Sequence, residues 1–498
     1  MPPPGGLTMT PDNRSFWPLR FLMTAILAAA VALPALAAPA SSSGLPELGQ
    51  DSTADISPAE EREIGNKVMV QIRQSLDYVA DPELNHYLDR IGNSLVAKIR
   101  GGHPAFHFFL VNDPTINAHA VPGGVIWVNI GLIFAAHSES ELAAVLAHEI
   151  SHITQRHWQR MVVEQKRLST VTLAAVLTSI ALAASSGDSG AAGPAFAAIA
   201  NNADRQMTFT RSFEQEADRV GIGLLARAGY RPTAMADFFG ELEKVDRING
   251  ADVPVFVRSH PVTSQRLAEA RDNAARFPKV HRRNNRDFNL FRARAIALYG
   301  LPAGSSLKDA RARLEQGSSQ EAARYGYAIA LMERNQTRTA KQEIDRLLRG
   351  HPANVHYLLA KADILLKAGQ TSAAVALYKR AYANRKSENW LTQRYAAAML
   401  AAGRPKDAYT VLRPLARSDR NDAPLQKLFA RAAGETGKLV EAHRALAEYY
   451  VLSGNRDAAM RQLDIAMGHA KGDYYSTAQI EARMKEIQAE ALAQNHKK

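Results

Sequence analysis

The run Glu141-Leu142-Ala143-Ala144-Val145-Leu146-Ala147-His148-Glu149-Ile150-Ser151-His152 carries two histidines four residues apart, with a glutamate directly after the first. The chain has no cysteine, so any zinc site must be built from histidine and carboxylate, and any nucleophile must be something other than a thiolate. Leu142, Val145, Leu146, Ile150 and Ile153 recur at helical spacing, and Ser138 followed by Glu141 reads as a capping box. The spacing therefore predicts a helix on which His148 and His152 share one face, a turn apart, as two ligands of one tetrahedral ion require. Glu149 lies one step round from His148. It is badly placed to ligate beside both histidines and well placed to take a proton from a water at the ion, which is the part of a general base. His157, five residues past His152, is expected to rotate off that face onto the surface.

A catalytic ion of this kind needs a third ligand from another element and leaves its fourth position to water. Phe213-Glu214-Gln215-Glu216-Ala217-Asp218, in a second helical stretch, supplies it: Glu214 to ligate, and Asp218, one turn on, to accept the spare ring N–H of a ligand histidine. Glu216 is expected to point elsewhere. Arg258-Ser259-His260-Pro261 offers a further histidine with two parts open to it. It could stabilise an oxyanion, or it could occupy the fourth position and hold the enzyme latent.

The elements that must position these residues are mixed between Ser57 and Phe277. Phe106 to Val111 is a short strand candidate, and Val121-Pro122-Gly123-Gly124-Val125-Ile126-Trp127-Val128-Asn129 is a turn feeding a β-rich run. With amphipathic helices around them, the expected fold is α+β, mostly helical with a small sheet. Leu168 to Ser185 carries no charge over 18 residues but is made largely of Ala, Thr and Ser. With the Gly- and Ala-rich stretch Gly187 to Ala200 it reads as a helical hairpin or lid beside a cleft; a buried core helix and a membrane span are the other readings.

Beyond Phe288 the texture changes to short helices with a repeat. Asn335, Gly369, Gly403 and Gly437 are 34 residues apart; five positions after each stand Ala340, Ala374, Ala408 and Ala442, and nine after each stand Ile344, Tyr378, Leu412 and Leu446. A small residue at a close helix crossing and a large apolar one a turn later, at this period, is the tetratricopeptide pattern of stacked helical pairs. Gly454, Ala459 and Leu463 repeat the phrase after half a period.

At the other end, Arg14 and Arg20 precede an apolar stretch from Phe21 to Leu33, then Pro34 and Ala35-Leu36-Ala37, which reads as a secretory signal cleaved after about Ala37. The expected division is thus a leader over 1–37, a disordered mature N-terminus over 38–57, a catalytic domain over 58–277 and an all-α repeat domain over 288–490. The 498 residues carry a formal net charge of +12 that is not gathered into a basic block, so nothing in the sequence supports nucleic-acid binding. Peripheral contact with an anionic membrane surface is compatible with that balance.

His148-Glu149-x-x-His152, then Glu214-x-x-Ala217-Asp218, with Asn117-Ala118-x-Ala120-x-Pro122-Gly123-Gly124 upstream and His260-Pro261 later, resembles the M48 family of zinc metallopeptidases, in the family's order over residues 60–275. The resemblance implies a zincin-type domain with one Zn2+ per chain on His148, His152 and Glu214. It also implies a basic residue near Arg266, acting with a carboxylate or on the substrate carbonyl. By the same resemblance Asn117 to Asn129 is an edge strand on which an extended peptide lies, with Asn117, Ala118, Pro122, Gly123 and Gly124 at the substrate. With a leader before and repeats after, the chain is similar to periplasmic, repeat-bearing members of the family. That implies stalled or unfolded outer-membrane clients and the β-barrel assembly machinery as partners, and a place in the periplasm near the outer membrane. The other class of function left open is a periplasmic tetratricopeptide adaptor or chaperone whose metal site is latent.

Overall fold

The computed structural model describes residues 57–75, 77–164, 203–249, 255–280, 286–300, 303–315 and 320–495. The leader, most of the segment 38–57, and the apolar stretches Leu168 to Ser185 and Gly187 to Ala200 lie outside the described residues. Among the described residues no helix is long and apolar enough to cross a membrane.

Helices α1 (Pro58–Ser75) and α2 (Pro82–Val96) come first, followed by strands β1 (His107–Val111), β2 (Ala118–Val121) and β3 (Val125–Asn129). The sheet order is β1-β3-β2, with β1 parallel and β2 antiparallel to β3. The Pro-Gly-Gly breaker is the hairpin turn between β2 and β3, where Gly123 and Gly124 have φ of 89° and 85°, a region open to glycine and rarely entered by other residues. A Cβ on Gly123 would also stand 2.9 Å from Gly65 Cα, so the turn seats α1. This corrects the expectation of one edge strand from Asn117 to Asn129. The turn folds that run back on itself, so that Val125–Asn129 becomes the fully buried middle strand and, of this run, β2 alone forms a sheet edge.

After α3 (Ile130–Ala135) comes α4 (Glu139–Thr154), the helix with the paired histidines. Its N-cap is Ser138, whose Oγ accepts the Glu141 N–H, while the Glu141 carboxylate turns back to accept from the His137 N–H at 2.8 Å and the Ser138 hydroxyl at 2.9 Å. The reciprocal cap is thus present, shifted by one residue at the carboxylate end. Fourteen of the 16 residues of α4 are buried, so it is a central helix with apolar contact on every side rather than an amphipathic one.

Next come α5 (His157–Glu164), α6 (Ala203–Ala228), α7 (Ala234–Asn249), α8 (Val255–Ser259) and α9 (Ser264–Ala275). Helix α4 packs on β2, α6 and α7. Its alanine face lets α6 come close: a Cβ on Gly221 would lie 3.2 Å from the Ala147 carbonyl carbon. That approach carries the acidic run of α6 to the histidines of α4.

Among the described residues the second half is helical: α10 (Arg286–Tyr299), α11 (Ala303–Glu315), α12 (Gln320–Glu333), α13 (Thr337–Gly350), α14 (Val355–Lys367), α15 (Thr371–Tyr382), α16 (Asn389–Ala401), α17 (Pro405–Ser418), α18 (Ala423–Glu435), α19 (Leu439–Leu452), α20 (Arg456–His469) and α21 (Tyr474–Asn495). Neighbours in sequence pack on one another in a tetratricopeptide stack. Asn335, Gly369, Gly403, Gly437 and Gly454 all take left-handed φ, between 57° and 76°. Each ends a helix with the following N–H reaching the carbonyl five residues back, as from Gln370 to Leu365 and from Arg404 to Met399, both at 2.8 Å. Ala340, Ala374 and Ala408 are wholly buried, with Ile344, Tyr378 and Leu412 beside them; Leu446, further along, is half-buried.

The halves meet through buried charge. Glu83 of α2 is held by Arg394 of α16, by His356 of α14 at 2.6 Å and by Arg294 of α10 at 3.7 Å, while Arg294 also reaches Asp81 at 2.6 Å. The His86 ring stacks on Trp390, centroids 5.3 Å apart.

Candidate metal centre and active site

His148 and His152 meet with Nε2 atoms 3.0 Å apart. Glu214, from α6, brings Oε2 to 3.4 Å from His148 Nε2 and Oε1 to 3.4 Å from His152 Nε2. His260, just after α8, places Nδ1 3.0 Å from Glu214 Oε1 and 3.3 Å from His148 Nε2. One ligand atom from each of the four lies within 4.8 Å of all the others. Ligands at about 2.0–2.1 Å from a tetrahedral zinc are about 3.3–3.4 Å apart, so these separations fit a divalent ion of that size. The donor chemistry fits as well: nitrogen and carboxylate oxygen, buried and converging, with His148 wholly inaccessible and Glu214 only 3% exposed. His260 thus stands within the same cluster as His148, His152 and Glu214.

Electrostatics follow from burial. Burial drives the His152 imidazole far below its ordinary value, into the neutral form that ligates. Burial opposes charge on His148 too, but the carboxylates of Asp218 and Glu214, accepting from its ring, outweigh it and carry its pKa up to about 10. Glu149 is 1% exposed and its carboxyl is raised by burial. Its Oε1 has no hydrogen-bond partner among the described residues, and His260 Nε2 stands 3.6 Å away. An orphaned carboxylate oxygen beside the ligand cluster is costly unless a substrate, water or ion completes it.

Asp218 lies where its spacing from Glu214 puts it. Its Oδ1 accepts from His148 Nδ1 at 3.0 Å. Arg266, 4% exposed, donates Nε and Nη2 to Asp218, both at 2.8 Å, and Nη1 to the Pro261 carbonyl at 2.9 Å, with Nη1 3.0 Å from Glu214 Oε2. Four of its five N–H donors are thus engaged, three of them with carboxylates, so Arg266 pairs with Asp218 and Glu214.

The expected substrate strand is only partly as read. The Asn129 N–H donates to the Asn117 carbonyl, which sets Asn117, His119 and Val121 toward β3 and turns the N–H and C=O groups of Ala118 and Ala120 to the margin. Two of those four groups are already taken: Ala118 N–H donates to Asn117 Oδ1 at 3.0 Å, and the Trp158 indole donates to the Ala120 carbonyl at 3.1 Å. Ala118 and Ala120 are buried, so the margin is not open to solvent in this state. Gly124 backs onto the Ala105 carbonyl as Gly123 does onto α1, so the Pro122–Gly124 turn is filled by the chain itself.

His157 is not on the surface. It is 3% exposed, with Nδ1 2.9 Å from His152 Nδ1 and Nε2 3.2 Å from Glu216 Oε2. The cause is Arg156, which takes φ of 53° and breaks the helix so that His157 swings back. Glu216 also accepts from Arg160 at 2.7 Å and is therefore engaged on the far side of the site.

Compared with known proteins, residues 82–274 match the model of peptidase family M48 and residues 365–432 a tetratricopeptide repeat model. The chain is 33% identical to the beta-barrel assembly-enhancing protease of Yersinia pestis and 32% to that of Escherichia coli K12, in each case over 89% of this chain and 91% of the relative. A shorter likeness, 27% over 36% of this chain and 50% of the relative, is to the mitochondrial metalloendopeptidase OMA1 of Schizosaccharomyces pombe.

Proposed function

The chain belongs to the family of beta-barrel assembly-enhancing proteases, M48 metallopeptidases with tetratricopeptide repeats, and we propose that it is a periplasmic zinc endopeptidase acting on outer-membrane proteins stalled in assembly. The observation that carries the chemistry is the convergence of His148, His152, Glu214 and His260 beside Glu149, whose Oε1 has no hydrogen-bond partner among the described residues.

His148, His152 and Glu214 would hold the ion. When bound, it supplies a Lewis acid that polarises a peptide carbonyl and makes water acidic enough to attack at neutral pH. Glu149 takes the proton of the attacking water and gives it to the leaving amine; a carboxyl raised by burial suits both transfers. Asp218 fixes His148 with Nε2 free to ligate, and Arg266 holds Asp218 and Glu214 in place as a positioning residue.

An extended peptide would pair with the Ala118 carbonyl and the Ala120 N–H, the two marginal groups of β2 not met by Asn117 or Trp158. Asn117 shapes that edge, and Pro122, Gly123 and Gly124 set its end. Backbone pairing disregards side chains, which suits clients that expose unpaired strands. The repeats would dock such clients or the β-barrel assembly machinery.

His260, packed among the three residues that would hold the ion, favours a latent resting state, opened when that imidazole withdraws. The same observation favours the second reading, an adaptor with a silent site. Metal analysis and casein cleavage on the purified chain, with its Glu149→Gln and His260→Ala forms, separate the two. Stoichiometric zinc, cleavage by the parent or the His260→Ala form, and a loss of about 10²- to 10⁴-fold in kcat with zinc retained for Glu149→Gln are the expected results. Zinc without cleavage in every form would leave the adaptor; cleavage by a chelated, metal-free preparation would refute the mechanism.

A further inference from the structure

The ligand His148 has a carboxylate behind it, whereas the ligand His152 has a second histidine. His152 Nε2 faces the ligand cluster, so its proton sits on Nδ1 and must be accepted by His157 Nδ1, 2.9 Å away. His157 is then protonated on Nε2, which donates to Glu216 Oε2 at 3.2 Å, and Arg160 holds Glu216 from outside at 2.7 Å. Every proton and lone pair along this line is matched, and reversing either ring would break it. The His157 ring cannot drift, since it stacks on Phe213 with centroids 4.4 Å apart and planes at 17°.

The backbone bears the strain of this arrangement. Arg156 is one of two non-glycine residues with left-handed φ among the described residues, a conformation that crowds Cβ against the following carbonyl oxygen. It is pinned by Glu61 Oε1, which accepts from Arg156 Nη2 at 3.2 Å and from Gln159 Nε2 at 2.7 Å. A continuing helix would carry His157 round to another face.

We propose that His157, oriented by Glu216, is the positioning residue for His152, holding that imidazole in the tautomer and direction that bind the metal. The proposal rests on the metallopeptidase reading above. It is tested by titrating the full-length, metal-free chain with Zn2+ against a chromophoric chelator, for the parent, His157→Phe, His157→Gln and Glu216→Ala, with urea unfolding of each metal-free form alongside.

His157→Phe keeps an aromatic ring on Phe213 but cannot accept a hydrogen bond, and its zinc affinity should fall about 10- to 100-fold. His157→Gln, with a side-chain carbonyl, should recover part of that loss. Glu216→Ala, at a side chain that is a quarter exposed, should lose less, in the same direction, and carries the test if His157→Phe fails to fold. An affinity unchanged in His157→Phe and Glu216→Ala overturns the proposal. So does a loss of affinity that only tracks a lower unfolding midpoint of the metal-free form, or that His157→Gln does not relieve at all. A parent chain that takes up no zinc fails the metallopeptidase reading itself; a parent that binds zinc beside variants that bind it equally well fails this proposal alone.

Discussion

Arg266 is surrounded by acceptors: two carboxylates and a main-chain carbonyl share one guanidinium that is almost wholly out of solvent. Removing it leaves Asp218 and Glu214 buried with histidine partners alone. Arg266→Met should lower stability by about 3–5 kcal/mol in urea unfolding of the metal-free chain. At this scale the sequence was legible wherever one helix carries the pattern, because i and i+4 share a face whatever the rest of the fold does. His148 with His152 and Glu214 with Asp218 both lie as that rule places them. His157 was not legible, because its position depends on Arg156 entering a region of backbone space that no arginine announces. The approach of His260 to His148 was also hidden, since it depends on the packing of α8, with the two residues 112 positions apart in the chain.

The elements were legible in proportion to how local their causes are. Ser138 with Glu141 marks the start of α4, and the 34-residue period survives because each repeat turn demands a left-handed residue and each crossing a small one. Pro122-Gly123-Gly124 is legible as a turn, but the pairing of β2 back onto β3 is not, because nothing in the four residues Ala118 to Val121 marks their partner. The repeat turns give a direct check. Gly403 sits at φ of 69° with open space where a Cβ would go, so Gly403→Ala meets no clash and isolates the backbone term. It should cost about 1–2 kcal/mol, read from urea or thermal unfolding.

Across the whole molecule the two halves are joined chiefly by α2, and the likeness to the assembly-enhancing proteases runs through both. His86 lies in that junction against Trp390, with Arg90 and Glu83 on its own helix and His356 facing it. Burial, with Arg90 next, lowers its pKa from 6.5 to about 4. A folded-state pKa below the unfolded one means the contribution is whole above about pH 6.5 and is lost as pH falls toward about 4. His86→Gln should therefore show a shallower loss of stability between pH 7 and 5 than the parent, measured as unfolding midpoints at each pH.

Glu83 takes its counter-charges from helices that all begin beyond residue 285. A recombinant fragment stopping near residue 277 would present a carboxylate stripped of every guanidinium and imidazole that balances it, on a helix whose neighbouring ring has lost its indole cover. Such a fragment should collect in inclusion bodies, and those wishing to isolate the peptidase by truncation would do better to silence the repeats by surface substitution.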